Sequence, residues 1–181
     1  TMALRFSNLP NSLSTGLAPA TVASMLMRGS KHHTREQIAD EFDRLHSRVS
    51  ISSDSSTLSV SIETTRPNLV PTLKLVAEIL RQPAWDPKEF ELDKQETIAG
   101  AEQMQNDPET LAENVLSRHL GPYPASDPRY TDTPEELMAQ AKSLTLDQVK
   151  AYYAKVYGAN CGEAAVVGDF DPAEIEKLLT D

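Results

Sequence analysis

The stretch Val49-Ser-Ile-Ser-Ser-Asp-Ser-Ser-Thr-Leu-Ser-Val-Ser-Ile62-Glu63 reads as two β-strands and the turn that joins them. Leu58, Val60 and Ile62 alternate with Ser59, Ser61 and Glu63, and a period of two places one set on each face of a sheet. Val49 and Ile51 show the same alternation ahead of the polar run Ser52 to Ser56, which supplies the turn. Such a hairpin has one apolar face that must be covered, and the flanking sequence offers helices to cover it.

The helix starts are written clearly. Thr34-Arg-Glu-Gln37 is a capping box, after which Ile38, Phe42 and Leu45 recur on one face while Glu36, Asp40, Glu41, Asp43 and Arg44 take the other. Similar signals stand at Asp86-Pro87, Asp107-Pro108, Thr133-Pro134, Thr145 with Gln148, and Asp171-Pro172. Pro67 opens a further helix with Leu69, Leu73, Val76 and Leu80 as its apolar face, and Pro71 has to fall in its first turn. Met2 to Phe6 reads as a strand, and Ala164 to Val167, before Gly168-Asp-Phe-Asp171, as a late strand returning to the sheet. Many helices, few strands and at least one antiparallel pair make the expected class α+β, a mostly antiparallel sheet with several helices packed against it. Gly121 to Thr131, rich in proline and polar residues, is the one extended loop. The helical pattern resumes directly after it, so residues 1–181 are read as one domain. The abrupt start inside a strand suggests a piece of a longer chain.

Composition narrows the function. A chain of 181 residues with 39% hydrophobic and 24% charged residues can bury a sizeable core. A formal charge of −10 argues against a nucleic-acid partner, because phosphate binding needs a basic footprint. One cysteine, Cys161, allows neither an internal disulfide nor a cysteine zinc cluster. No apolar run reaches membrane-spanning length.

The segment Gly16-Leu-Ala-Pro-Ala-Thr-Val-Ala-Ser-Met-Leu-Met-Arg-Gly-Ser30 carries the functional argument. Its tail, Met25-Leu26-Met27-Arg28-Gly29-Ser30, resembles the segment that follows the inverted His-x-x-Glu-His motif of the pitrilysin/insulinase family of zinc metallopeptidases. Against that motif the two histidine positions fall on Ala20 and Ser24, and the glutamate position on Ala23. Zinc needs nitrogen, thiolate or carboxylate ligands, and the family's glutamate is the general base for the metal-bound water. Two methyl groups and a hydroxyl supply neither. The family's third ligand lies on a later helix that resembles Phe90-Glu91-Leu92-Asp93-Lys94 and Asn106-Asp107-Pro108, where its position falls on Ala99 or Gly100.

Further landmarks in the same order, Tyr152-Tyr153, Tyr157-Gly158-Ala159 and Ala165-Val-Val-Gly-Asp-Phe-Asp171, extend the resemblance over nearly the whole chain. It implies the fold of one domain of pitrilysin and of its relatives, the mitochondrial processing peptidase subunits. It further implies an inactive domain of a zinc metalloendopeptidase that helps enclose and position peptide substrate for an active half. Zinc belongs to that active half, and no cofactor, metal or catalytic residue is expected in this domain. The expected partners are the active half, in the same chain or in another subunit, and peptide. The alternative is a structural or assembly subunit with no role in proteolysis. A periplasmic or cell-envelope setting is suggested by the resemblance alone.

Other candidate residues favour structural readings. His32 and His33, with Arg28, Lys31 and Arg35, form a basic cluster that reads as a solvated loop, since short histidine tracts are weak metal signals. His46 follows the apolar stripe of its helix and reads as a core-edge histidine, whereas His119 suits a helix C-terminus. Glu96 and Glu102 read as surface carboxylates. Ser24 has no Gly-x-Ser-x-Gly context and reads as a small residue packing its helix against the sheet. Trp85, Tyr152, Tyr153 and Tyr157 fit core packing as well as a peptide groove, and core packing is favoured. Cys161, beside Gly162 with no adjacent histidine, lacks the setting of a catalytic thiol.

Overall fold

A computed structural model of the chain describes residues 1–7, 16–53, 57–127, 129–158 and 162–180. Four strands, β1 (Met2–Ser7), β2 (Arg48–Ser53), β3 (Thr57–Glu63) and β4 (Gly162–Val166), form one sheet in the order β2-β3-β1-β4. Every neighbouring pair is antiparallel. Val49 stands opposite Ile62, Ile51 opposite Val60, Leu4 opposite Val60 on its other side, and Met2 opposite Ile62. The expected hairpin is therefore present, with its tip, residues 54–56, outside the described residues.

The alternation has the anticipated consequence. Met2, Leu4, Leu58, Val60 and Ile62 are buried, while Ala3, Arg5, Ser61 and Glu63 on the opposite face are exposed. Burying a large aliphatic side chain contributes about 1.5–3 kcal/mol, so this one face supplies a substantial part of the driving force.

The helices are α1 (Ala18–Leu26), α2 (Arg35–Arg44), α3 (Leu69–Arg81), α4 (Pro87–Gln105), α5 (Pro108–Leu120), α6 (Pro134–Ser143), α7 (Leu146–Val156) and α8 (Pro172–Thr180). The capping boxes expected at Thr34, Thr133 and Thr145 are all formed, and Asp86 and Asp107 cap α4 and α5 through their carboxylates. A short 3-10 turn, Arg66–Asn68, precedes α3, so Pro71 lies in its first turn, where a missing N–H costs nothing. Helix α3 buries Leu69, Leu73, Leu75, Val76 and Ile79.

Helix α1 is apolar almost all round, with Val22, Ala23, Met25 and Leu26 buried, as befits a helix with neighbours on several sides. It packs against β2 and α7 and touches α4, which in turn packs along α6. The chain leaves α1 through Gly29, whose φ of +147° suits glycine. A Cβ there would meet Ala84 at 3.4 Å, and the Gly29 carbonyl accepts from the Ala84 N–H at 3.1 Å. This pins the end of α1 to the segment that leads into α4.

Candidate functional site

Helix α1 turns two side chains away from the core, Ala20, which is exposed, and Ser24, which is half-buried one turn later. Beyond the helix end Arg28 continues this row. Its side chain is 6% exposed and lies against three carboxylates on the first three turns of α4. Nη1 stands 3.2 Å from Glu89 Oε2, and Nη2 3.2 Å from Asp93 Oδ1 and in contact with Glu96. Nε donates to Ser24 Oγ at 3.2 Å, and the Ser24 hydroxyl donates to Asp93. Arg35 reaches Glu89 from the solvent side at 3.7 Å.

Asp93 is 10% exposed and Glu89 29%, whereas Glu96 at 52% is open to water. Burial disfavours the Arg28 charge, but the hydrogen bond that it donates to Glu96, the charge of Asp93 and the hydrogen bond to Glu89 outweigh this and raise its pKa. Arg28 is thus permanently charged and enclosed. The arrangement is a guanidinium fork, donating from all three nitrogens, between two helices.

Two sequence readings need correction here. Arg28 does not belong to a solvated basic loop, because the pitch of α1 delivers it to the α4 face. Ser24 does not pack α1 against the sheet. It points to α4, since Val22, Met25 and Leu26 occupy the apolar sides of the helix. Sequence reasoning missed Glu89 and Asp93 as partners. The available signal was their i,i+4 spacing with Glu96 three residues on, a one-sided acidic face that called for a cation.

Ala99 and Gly100, where the resemblance puts the third ligand position, are both exposed. A Cβ at Gly100 would meet nothing within 4 Å, while Ala101, the next residue, is buried. Among the described residues no group of three or more His, Cys, Asp or Glu is placed to hold a metal ion. His32 is exposed, and His33 lies 2.9 Å from Glu78.

His46 is not a core-edge residue. It is exposed, with φ +47°, and it terminates α2: its N–H donates to Asp43 O at 3.0 Å and the Ser47 N–H to Phe42 O at 2.9 Å. These two bonds are those of a left-handed helix stop, which placed the imidazole outside although the residue follows an apolar stripe. His119 is exposed in the last turn of α5. Glu102 is exposed, and Glu96 is both exposed and paired. Cys161 lies outside the described residues.

The aromatic residues pack on the core. Tyr153 stacks edge-on against Trp85 at 5.3 Å between ring centres, and Tyr152 against Tyr157 at 5.7 Å. The Tyr153 hydroxyl donates to the Leu80 carbonyl. All four are half-buried. Trp85 holds φ +51°, an unfavourable value for a bulky side chain, directly before the Asp86 cap.

Two clefts flank these elements. One of about 760 Å³ opens beside Ala20 and is lined by Asp132, Glu136, Gln140 and Tyr152; Gln140 donates to Asp132 at 2.7 Å. The other, about 650 Å³, lies between the sheet, α3 and α8, with Leu73, Leu80, Tyr153 and Leu178 on its walls. No helix among the described residues is long and apolar enough to cross a membrane.

No protein-family sequence model matches the chain, and no curated protein sequence does. Solved structures do. The peptidase M16 inactive domain from Pseudomonas fluorescens superposes with a TM-score of 0.77 at 26% identity, over 98% of this chain and 43% of that one. The chain has a peptidase M16-like fold, similar to that inactive domain. A protease from Helicobacter pylori shares the fold of this M16-like domain with a TM-score of 0.80 at 17% identity, over 99% of this chain and 43% of that one. Pitrilysin does so with a TM-score of 0.71 at 17% identity, over 98% of this chain and 19% of its own. The M16-like domain therefore spans less than half the length of these relatives.

Proposed function

We propose that this M16-like domain is a non-catalytic part of a zinc-peptidase assembly, one that binds no metal and helps enclose peptide substrate beside a zinc-bearing half. That half lies in the same polypeptide or in a partner subunit, and residues 1–181 form a single folded unit of the whole. The likeness to a domain that is itself termed inactive supports the reading, as does the shortness of this chain beside its relatives.

The observation that carries it is the chemistry at Ala20, Ala23 and Ser24. These residues do not fit a zinc ion. Two methyl groups offer no lone pair, and the Ser24 hydroxyl is already engaged by Asp93 and Arg28. Asp93, which Ser24 contacts, and its neighbours Glu89 and Glu96 surround a buried guanidinium, and a dication brought beside it would meet a like charge in a poorly solvated setting. None of these three side chains carries a carboxylate to act as general base for a metal-bound water.

The test is hydrolysis of a mixed peptide library by the purified chain, with zinc added and with a chelator. No cleavage is expected under either condition, and no stoichiometric zinc should remain after dialysis. Zinc-dependent cleavage, or one tightly held zinc per chain, overturns the proposal. Enclosure is tested by deleting the domain from the peptidase in which it resides: turnover of long peptides should fall more than that of short ones.

A further inference from the structure

We infer that the cleft beside Ala20 is a subsite for peptide that carries a lysine or arginine, with Asp132 as the residue that takes the basic side chain. The inference rests on the reading above and deepens it, since it names the class of peptide that the domain holds.

Charge is the first argument. The cleft, of about 760 Å³, has Asp127, Asp132 and Glu136 in its wall and, among the described residues, no lysine, arginine or histidine. Two of these carboxylates are already neutralised, Asp127 by Arg129 at 2.8 Å and Glu136 by Arg118 at 3.1 Å. Asp132, which is half-buried, has no cationic partner among the described residues. One uncompensated negative charge in a concave wall attracts one monovalent cation. A dication finds no second unpaired carboxylate there, and among the described residues no three metal-ligating side chains are placed to hold one.

Geometry is the second. The Asp132 carbonyl accepts from Asn114 Nδ2 at 2.9 Å, and its Oδ1 from Gln140 Nε2 at 2.7 Å. These bonds fix the side chain and leave Oδ2 for another donor. On the neighbouring amide, Gln140 Oε1 is buried with no hydrogen-bond partner, and Gly16, at φ +103°, passes so close that a Cβ would stand 3.3 Å from it. Two adjacent acceptors therefore lack donors. An ammonium brings three N–H groups and a guanidinium five, so either serves both acceptors at once.

The facing wall favours peptide over a free amine. Leu17 to Ala20 are the start of α1, which no side chain caps, so its first N–H groups are oriented toward carbonyl oxygens. A peptide offers a carbonyl at every residue, and a bare amine offers none. Tyr130 and Tyr152 complete the walls, as apolar cover for the methylene stem of a long basic side chain.

The experiment titrates the full, isotope-labelled chain with an end-blocked alanine–serine nonapeptide bearing one central lysine, and with the same peptide bearing norleucine there, and follows amide shifts by NMR. The lysine peptide should bind roughly tenfold more tightly, with shifts centred on Gly16, Ala20, Asp132 and Gln140. Asp132→Asn keeps the acceptor for Gln140 and removes only the charge. It should abolish the preference and leave the affinity for the norleucine peptide unchanged. Should Asp132→Asn not fold, Ala20→Lys takes its place: it sets an ammonium at the exposed mouth of the cleft and should abolish the preference equally. Equal affinity for the two peptides, a preference that survives the variant, or shifts centred elsewhere overturn the site.

Titration with n-butylamine, the side chain alone, separates the two sources of the cation. It should bind more weakly than the lysine peptide, and equal affinity overturns the assignment to peptide. Loss of the lysine preference leaves the non-catalytic reading of the domain intact. Zinc uptake or cleavage by the chain overturns that reading and leaves the measured preference standing.

Discussion

The Nδ1 atom of His33 lies 2.9 Å from Glu78 Oε1, which joins the loop after α1 to the last turns of α3. Ser30 completes the contact: its hydroxyl donates to Glu78, and its oxygen accepts the His33 backbone N–H at 3.0 Å. Partial burial pushes the Glu78 carboxyl up, but the hydrogen bonds from Ser30 and His33 outweigh it and hold the group below the ordinary glutamate value of 4.5.

A carboxyl depressed in the folded state contributes stability that is complete above its unfolded pKa and is lost as pH falls through the folded one. Glu78→Gln should therefore melt below wild type near neutral pH, and the gap should close in acid as pH falls through the depressed value. Thermal melts across that range provide the check. A gap independent of pH shows that the carboxylate charge contributes nothing.

His46 presents a simpler case. It adopts a left-handed backbone, φ +47°, at an exposed helix stop, a conformation that costs a non-glycine residue about 1 kcal/mol or more. His46→Gly should raise the melting midpoint by roughly 2–4 °C, and His46→Val should lower it. If glycine destabilises, the imidazole makes a contribution beyond ending α2.

Asp127 is held at about 2, chiefly by the hydrogen bond from the Arg129 side chain at 2.8 Å and by the Arg129 backbone N–H. What this pair adds to stability is present above the ordinary aspartate value of 3.8 and is lost as pH falls through about 2. Carbon-detected NMR titration should place the Asp127 midpoint near 2 in wild type. In Arg129→Ala it should move back toward 3.8.

Apolar residues on different helices should respond differently to truncation. Leu26 of α1 is fully buried, so Leu26→Ala should cost about 2–5 kcal/mol by urea unfolding. Leu120 of α5 is 74% exposed on a helix with no buried residue, and Leu120→Ala should stay within about 0.5 kcal/mol. A large loss at Leu120 shows that this face of α5 is covered in solution.

Much of the architecture is legible in the sequence alone. The hairpin around Val60 and the starts of α2, α4, α5, α6 and α7 depend on residues within one or two turns of each other: a cap accepts from an N–H two or three residues on, and a strand alternates at every second residue. His46 escaped because its setting is a backbone conformation. Left-handed stops are usually announced by glycine, and an apolar stripe pointing toward His46 suggested the opposite. The positions of Ser24 and Arg28 in the resembling motif were legible, but their surroundings were not.

Composition and local pattern settled the class of fold, the face of the sheet that faces inward and the residues at the motif positions, since all three follow from chain neighbours. What surrounds Ser24 was a different matter. Asp93, 69 residues away, meets it because α1 is wrapped by β2 and α7 on its apolar sides and has one polar row left to offer α4. That contact is a product of how whole helices pack, and helix packing is governed by the summed burial of many side chains, which no short stretch of residues encodes.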